Sequence, residues 1–252
     1  MKKTCVVVMT LWALACSGLQ AVAADASLDL SVYSHYVWRG QVLADGGVFQ
    51  PSLTVSDPCG LSFNTWANYD FDTSEFNEAD LTVSFAKDLC DTMSAEVGLV
   101  QYVLTAENNT AEVFFKLGAN VLLSPAVTLY WDVDQVEDVY AQAAVSHDIE
   151  LSEKLTLGLG ASVGFGGQDY NAFYFGFEPE EGEDGTAIPN DSAAVNDANV
   201  SAGLTYAFSE SLSLGASAQY TALLDSDIKK GAKQNFGEKD VVFGSVTLSR
   251  SF

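Results

Sequence analysis

The side chains of this 252-residue chain that could do chemistry are mostly carboxylates. Asp29, Asp70, Glu96, Glu112, Asp132 and Asp134 recur on one phase of alternating stretches, with Asn68, Arg39 and Lys116 on the same phase. If those stretches are strands closing around water, a lumen so lined repels anions and admits small cations or neutral solutes, as charged rings do in channels. The other reading of the same set is cross-strand pairing that plugs a narrow barrel. Arg39 and Asp70 end their stretches at one rim, where they form either a constriction pair or an ordinary rim ion pair.

Catalysis and metal binding are poorly served. Ser34 and His35 are neighbours, and adjacent residues of a strand face opposite ways, so they make no nucleophile–base pair there. His147 lies on the opposite phase, no Ser-His-acid arrangement is readable, and neither an enzyme nor a cofactor is expected. Neither histidine has a cysteine nearby and there is no C-x-x-C, which argues against a zinc site. The acidic run Glu178, Glu180, Glu181, Glu183, Asp184 and Asp191 lacks the D-x-D-x-D-G order of a calcium loop. It either gathers divalent cations shared with lipopolysaccharide or is a solvated loop. Cys59 and Cys90 fall in turns at one rim, and a disulfide between them is expected.

The compartment is written at the amino-terminus. Lys2 and Lys3, the apolar run Val6 to Ala15 and a small-x-small site before Asp25 read as a signal peptide over residues 1 to 24. A loose lipid-attachment site, Ala13-Leu14-Ala15-Cys16, is the alternative. Removing residues 1 to 24 leaves nine bases against 34 acids, a net charge of about 25 negative, and excludes nucleic acid as a partner. No stretch of the remainder has eighteen consecutive apolar residues, so helical spans are excluded.

The elements that must position these groups are strands. Hydrophobicity alternates with period two through twelve segments, about 28–39, 48–55, 61–71, 79–86, 94–104, 111–119, 127–134, 139–146, 155–166, 200–208, 212–223 and 241–252. Leu155, Leu157, Leu159, Ala161, Val163 and Phe165 alternate with Thr156, Gly158, Gly160, Ser162, Gly164 and Gly166, so that the glycine side meets water or closely packed neighbours. Pro51 predicts a bulge or bend. Short turns alternate with longer connections, and the longest, 167 to 195, is acidic. Even strand number and one-sided long loops predict a transmembrane antiparallel up-and-down barrel, residues 25 to 252, in the outer membrane of a Gram-negative cell. The closing strand, ending at Phe252, is the signal that the outer-membrane assembly machinery recognises; Arg250 departs from its apolar phase. A soluble sandwich or lipocalin-like barrel would bury the same faces inward.

Tyr33-Ser34-His35-Tyr36-Val37-Trp38-Arg39-Gly40, then Phe49-Gln50-Pro51, Gly60-Leu61 and Trp66-Ala67-Asn68, resemble the opening hairpins of the TorF-type porin family over about residues 27 to 104. The resemblance implies an outer-membrane barrel and a porin role. Together these features predict a passive pore for small cationic or neutral solutes, in contact with outer-membrane lipid and lipopolysaccharide. A barrel with a blocked lumen that docks a partner is the alternative.

Overall fold

The computed structural model describes residues 24–178, 187–237 and 240–252. The expected signal segment up to residue 23, Glu180, Glu181, Glu183 and Asp184 of the acidic run, and Lys239 lie outside the described residues.

In chain order the elements are β1 (Asp25–Tyr33), β2 (Tyr36–Trp38), β3 (Gln41–Ala44), β4 (Val48–Ser56), β5 (Leu61–Asp70), β6 (Glu75–Cys90), β7 (Met93–Leu104) and β8 (Thr110–Ala119). There follow β9 (Ala126–Asp132), β10 (Val139–Ser152), β11 (Leu155–Gly166), α1 (Gln168–Phe175), β12 (Ala194–Ser209), β13 (Leu212–Leu223), α2 (Ser226–Phe236) and β14 (Asp240–Ser251). All strands but β2 and β3 form one closed, antiparallel, twelve-stranded barrel, and β14 closes it against β1 with Leu30 opposite Leu248. Closure pairs both edges, which an open sheet of this length would leave exposed.

Alternation decides which face is which. Phe115, Leu129, Leu159, Val200 and Leu204 stand exposed on the outside, while Ser31, Gln50, Asn68, Ser84 and Thr128 are buried facing inward. A water-soluble barrel has the reverse polarity, so the outer face is built for acyl chains. No helix among the described residues is long and apolar enough to cross a membrane; the strands do the crossing. The start of β1 and the end of β14 lie at one rim with the tight turns 57–60, 91–92, 153–154 and 210–211, the turn end. The opposite, loop end carries residues 34–47, 167–178, 187–193 and 224–237.

Four details differ from the sequence expectation. The first strand stops at Tyr33 instead of running to Arg39: Ser34 makes the last backbone bond to β14, donating to the Gly244 carbonyl at 3.0 Å, and the chain then bends off the wall. Pro51 introduces no register shift, because β4 keeps one register with β5 on both sides of it. The long connections contain helices α1 and α2 where only loop is expected. Cys59 and Cys90 are separate, exposed free thiols. Gly60 faces Ala86 across the β5–β6 ladder, and Cys90 lies four residues further along, roughly 13 Å at strand rise, beyond the ~7 Å Cα separation that a bridge tolerates.

Candidate functional site

The segment that leaves the wall after β1 does not form an outer loop. It folds as the hairpin β2–β3 into the barrel, with Trp38 paired to Gln41 across the two-residue turn Arg39-Gly40. Both turn residues have positive φ, 50° and 83°, as a type I′ hairpin turn requires. Gly40 is needed at the tip, since a Cβ there would lie 2.5 Å from Leu223 Cδ2 and 3.1 Å from Asp197 Cβ on the far wall. The hairpin thus crosses from its root between β1 and β4 to the opposite side of the ring, formed by β8 to β13.

Arg39 is held from every side. Its Nη1 and Nη2 donate to Glu112 Oε1 and Oε2 at 2.7 Å each, with both side chains almost fully buried. The guanidinium carbon lies 4.4 Å from the ring centres of Trp38, Tyr130 and Tyr140, and 5.9 Å from that of Tyr170. The Tyr102 hydroxyl donates to Glu112 Oε2 at 2.8 Å. A desolvated cation over aromatic faces gains about 2 kcal/mol, and the bidentate fork fixes one orientation. Nearer the root, the Tyr36 hydroxyl donates to Glu78 at 2.9 Å and its ring packs against Trp66.

The two helices cover the hairpin. Val136, Tyr140, Tyr170, Phe175, Leu223, Ile228 and Ala232 form one buried cluster that joins α1, α2 and the strand ends. Trp38 packs edge-on against Tyr174 of α1, and Gln41 Nε2 lies 3.4 Å from the Tyr170 hydroxyl. Burial pushes the Tyr170 and Tyr174 phenols above their ordinary range, and for Tyr170 the Arg39 charge works in the opposite direction. Gly164 and Gly166 of β11 serve this packing: a Cβ on Gly164 would collide with Tyr140 and Asp197, whose 2.8 Å hydrogen bond occupies that space.

The lumen is therefore filled at the loop end and open at the turn end. Lys116, Ser146, Thr205 and Ser217 all face inward toward the turn end, and all four are exposed, so water reaches them inside the barrel.

The structure unites Arg39 with Glu112 and separates it from Asp70, the partner expected from rim position. Asp70 instead accepts the backbone N–H groups of Asp72 and Thr73, capping its own turn. Asp132 does the same for residues 134 to 136 and accepts from Thr110 at 2.6 Å. Asp134 lies beyond β9, exposed, and not on the lumen wall. Asn68 accepts from Gln50 and donates to Asn77. Glu96 and Lys116 stand opposite one another, yet no ion pair joins them, and Asp29 is half-buried on β1. Ser34 and His35 do meet, Oγ to Nδ1 at 3.0 Å, because the backbone has left strand geometry; His35 Nε2 lies 3.2 Å from Asp45. Ser34 Oγ also accepts the Gly244 N–H, so this chain of contacts fastens the hairpin root to β14.

Sequence reasoning missed the aromatic box. Its signal was present: Tyr102, Tyr130 and Tyr140 occupy the inward phase, where a water-filled lumen has no use for rings.

No curated protein matches the chain. Among solved structures the barrel is similar to the KdgM porin, at 11% identity over 90% of this chain and 99% of that one, with a TM-score of 0.56. An outer membrane channel from Pseudomonas putida F1 gives 14%, 93%, 97% and 0.57, and LpxR from Salmonella typhimurium 10%, 89%, 99% and 0.52. At such identities the likeness is one of fold: an outer-membrane, porin-like barrel. The resemblance of the opening hairpins to TorF-type porins gives way to a match that spans most of the sequence, for residues 22–233 match the family described as MltA-interacting protein MipA, and the chain belongs to that family.

Proposed function

We propose that this chain is an outer-membrane porin-like channel for small cationic or neutral solutes, stoppered at its outer end by the hairpin of residues 34–47. The turn end, where β1 starts and β14 ends, then faces the periplasm, the exposed apolar belt meets lipid and lipopolysaccharide, and the strand ending at Phe252 is presented to the assembly machinery. The observation that carries the reading is the buried Arg39–Glu112 pair, a single latch at the tip of an internal hairpin in a lumen whose other half is hydroxyl-lined and wet. The mature chain's excess of acids favours cations over anions at the mouths.

The test is single-channel conductance of the refolded chain in planar bilayers. Wild type is expected to conduct rarely, and Arg39→Ala to conduct steadily with a cation bias; silence from both this variant and one lacking residues 36–44 would sink the channel reading.

A second reading, a closed barrel that docks a periplasmic partner, is favoured by the family's description as MltA-interacting and by the filled outer half. Retention of MltA on the membrane-embedded barrel, with no conductance in either variant, is the outcome that selects it.

A further inference from the structure

We infer that the cavity immediately beneath the Arg39 turn is a binding cup for a neutral, hydroxyl-rich solute of about monosaccharide size, reached from the turn end. The cup holds about 310 Å³, at the small end of ligand pockets. Arg39 and Gly40 form its ceiling, and Gln142, Ser162, Ser201 and Gln219, from four adjacent strands, form its wall. Backbone register places these wall groups at one level, with Ser162 opposite Ala144 and Asn199, and Ser201 opposite Gln219.

The chemistry of the wall selects the ligand. Arg39 is neutralised by Glu112, and Asp197 is fully buried behind Tyr140 and Asn199, so no uncompensated charge among the described residues faces the cup. Asn199 is saturated, donating to Ser162 and Asp197 and accepting from Gln219 and Thr221. Among the described residues the Gln142 amide and the Ser201 hydroxyl have no side-chain hydrogen-bond partner, and both line the space, offering donors and acceptors. Such neutral groups satisfy hydroxyls at close range, whereas an ion would leave its water shell without a counter-charge. Gly160 keeps the floor clear, since a Cβ there would come within 2.7 Å of Ser201 Oγ. The inference rests on the channel reading for its biological sense but is tested apart from it.

Calorimetric titration of the refolded full chain in detergent, with glucose, glucosamine and glucuronate as probes, decides it. Glucose is expected to bind at millimolar concentration and both charged analogues at least about tenfold more weakly. Gln142→Ala should weaken glucose about tenfold, the equivalent of one lost hydrogen bond, and Gly160→Val, which fills the cup against a flexible hydroxyl, should abolish it. Absence of glucose binding to wild type, equal binding of a charged analogue, or indifference to both substitutions would overturn the cup. Conductance without glucose binding would remove the cup and leave the channel; glucose binding without conductance would do the reverse.

Discussion

A single arginine anchors the hairpin inside this lumen. Arg39 sits at positive φ on a hairpin tip, a conformation that costs a non-glycine residue roughly 1 kcal/mol or more, and its charge is withdrawn from water. Glu112 and three rings offset both costs only while the hairpin stays inside the barrel. Glu112→Gln keeps the shape and removes the counter-charge, so it is expected to destabilise the packed hairpin by about 3–5 kcal/mol. The double variant Arg39→Met with Glu112→Leu should recover most of that loss. Limited proteolysis within residues 34–47 reads both: the single variant should be cut readily, the double slowly, and equal resistance in all three would contradict the latch. Glu112 and Arg39 were both legible as inward residues. Their partnership was not, because it depends on where a chain goes after it leaves the wall.

At the scale of elements, the lid over the hairpin depends on two short helices. Asp225 caps α2 by accepting the N–H groups of Asp227 and Ile228, at 2.8 and 3.1 Å, and Gly237 ends it in the left-handed region with φ of 79°. Gly231 lets α2 lie directly on α1, for a Cβ there would overlap the Phe175 carbonyl. Asp225→Ala is expected to cost about 1 kcal/mol of α2 stability, visible as faster amide exchange over residues 226–236 with the barrel strands unchanged. Exchange that rises equally in β13 and β14 would show instead that lid and wall open as one unit. An aspartate cap and a glycine stop twelve residues apart are readable in the sequence. The stretch between them carries Lys229, Lys230 and Lys233, and such a polar run between two strands reads as loop. The first strand erred the other way: Tyr36-Val37-Trp38 continues the alternation of β1 so smoothly that the bend at Ser34 leaves no trace in the pattern.

The whole molecule is a barrel with two unlike halves. Its outer face is mostly apolar, and its interior passes from rings and the buried Arg39–Glu112 pair at the loop end to serine, threonine and a solvated lysine at the turn end. Leu159 stands 41% exposed in the middle of β11, on the belt that meets lipid. Leu159→Arg should therefore cost about 2–4 kcal/mol in bilayer refolding equilibria, while the same residue at Ser217, inward and wet, should cost far less. Equal penalties at the two sites would mean that the assignment of inside and outside is wrong.

The sequence by itself determined the strand number and the polarity of the wall, since alternation is a local property repeated in every strand and needs no knowledge of distant neighbours. Only the tertiary structure decided that the lumen is half filled. Arg39 and Glu112 lie 73 residues apart, and the rings around them come from β2, β9, β10 and α1. Those groups meet because closure of the barrel brings opposite walls within reach of a nine-residue hairpin, and no periodicity along the chain encodes such a meeting.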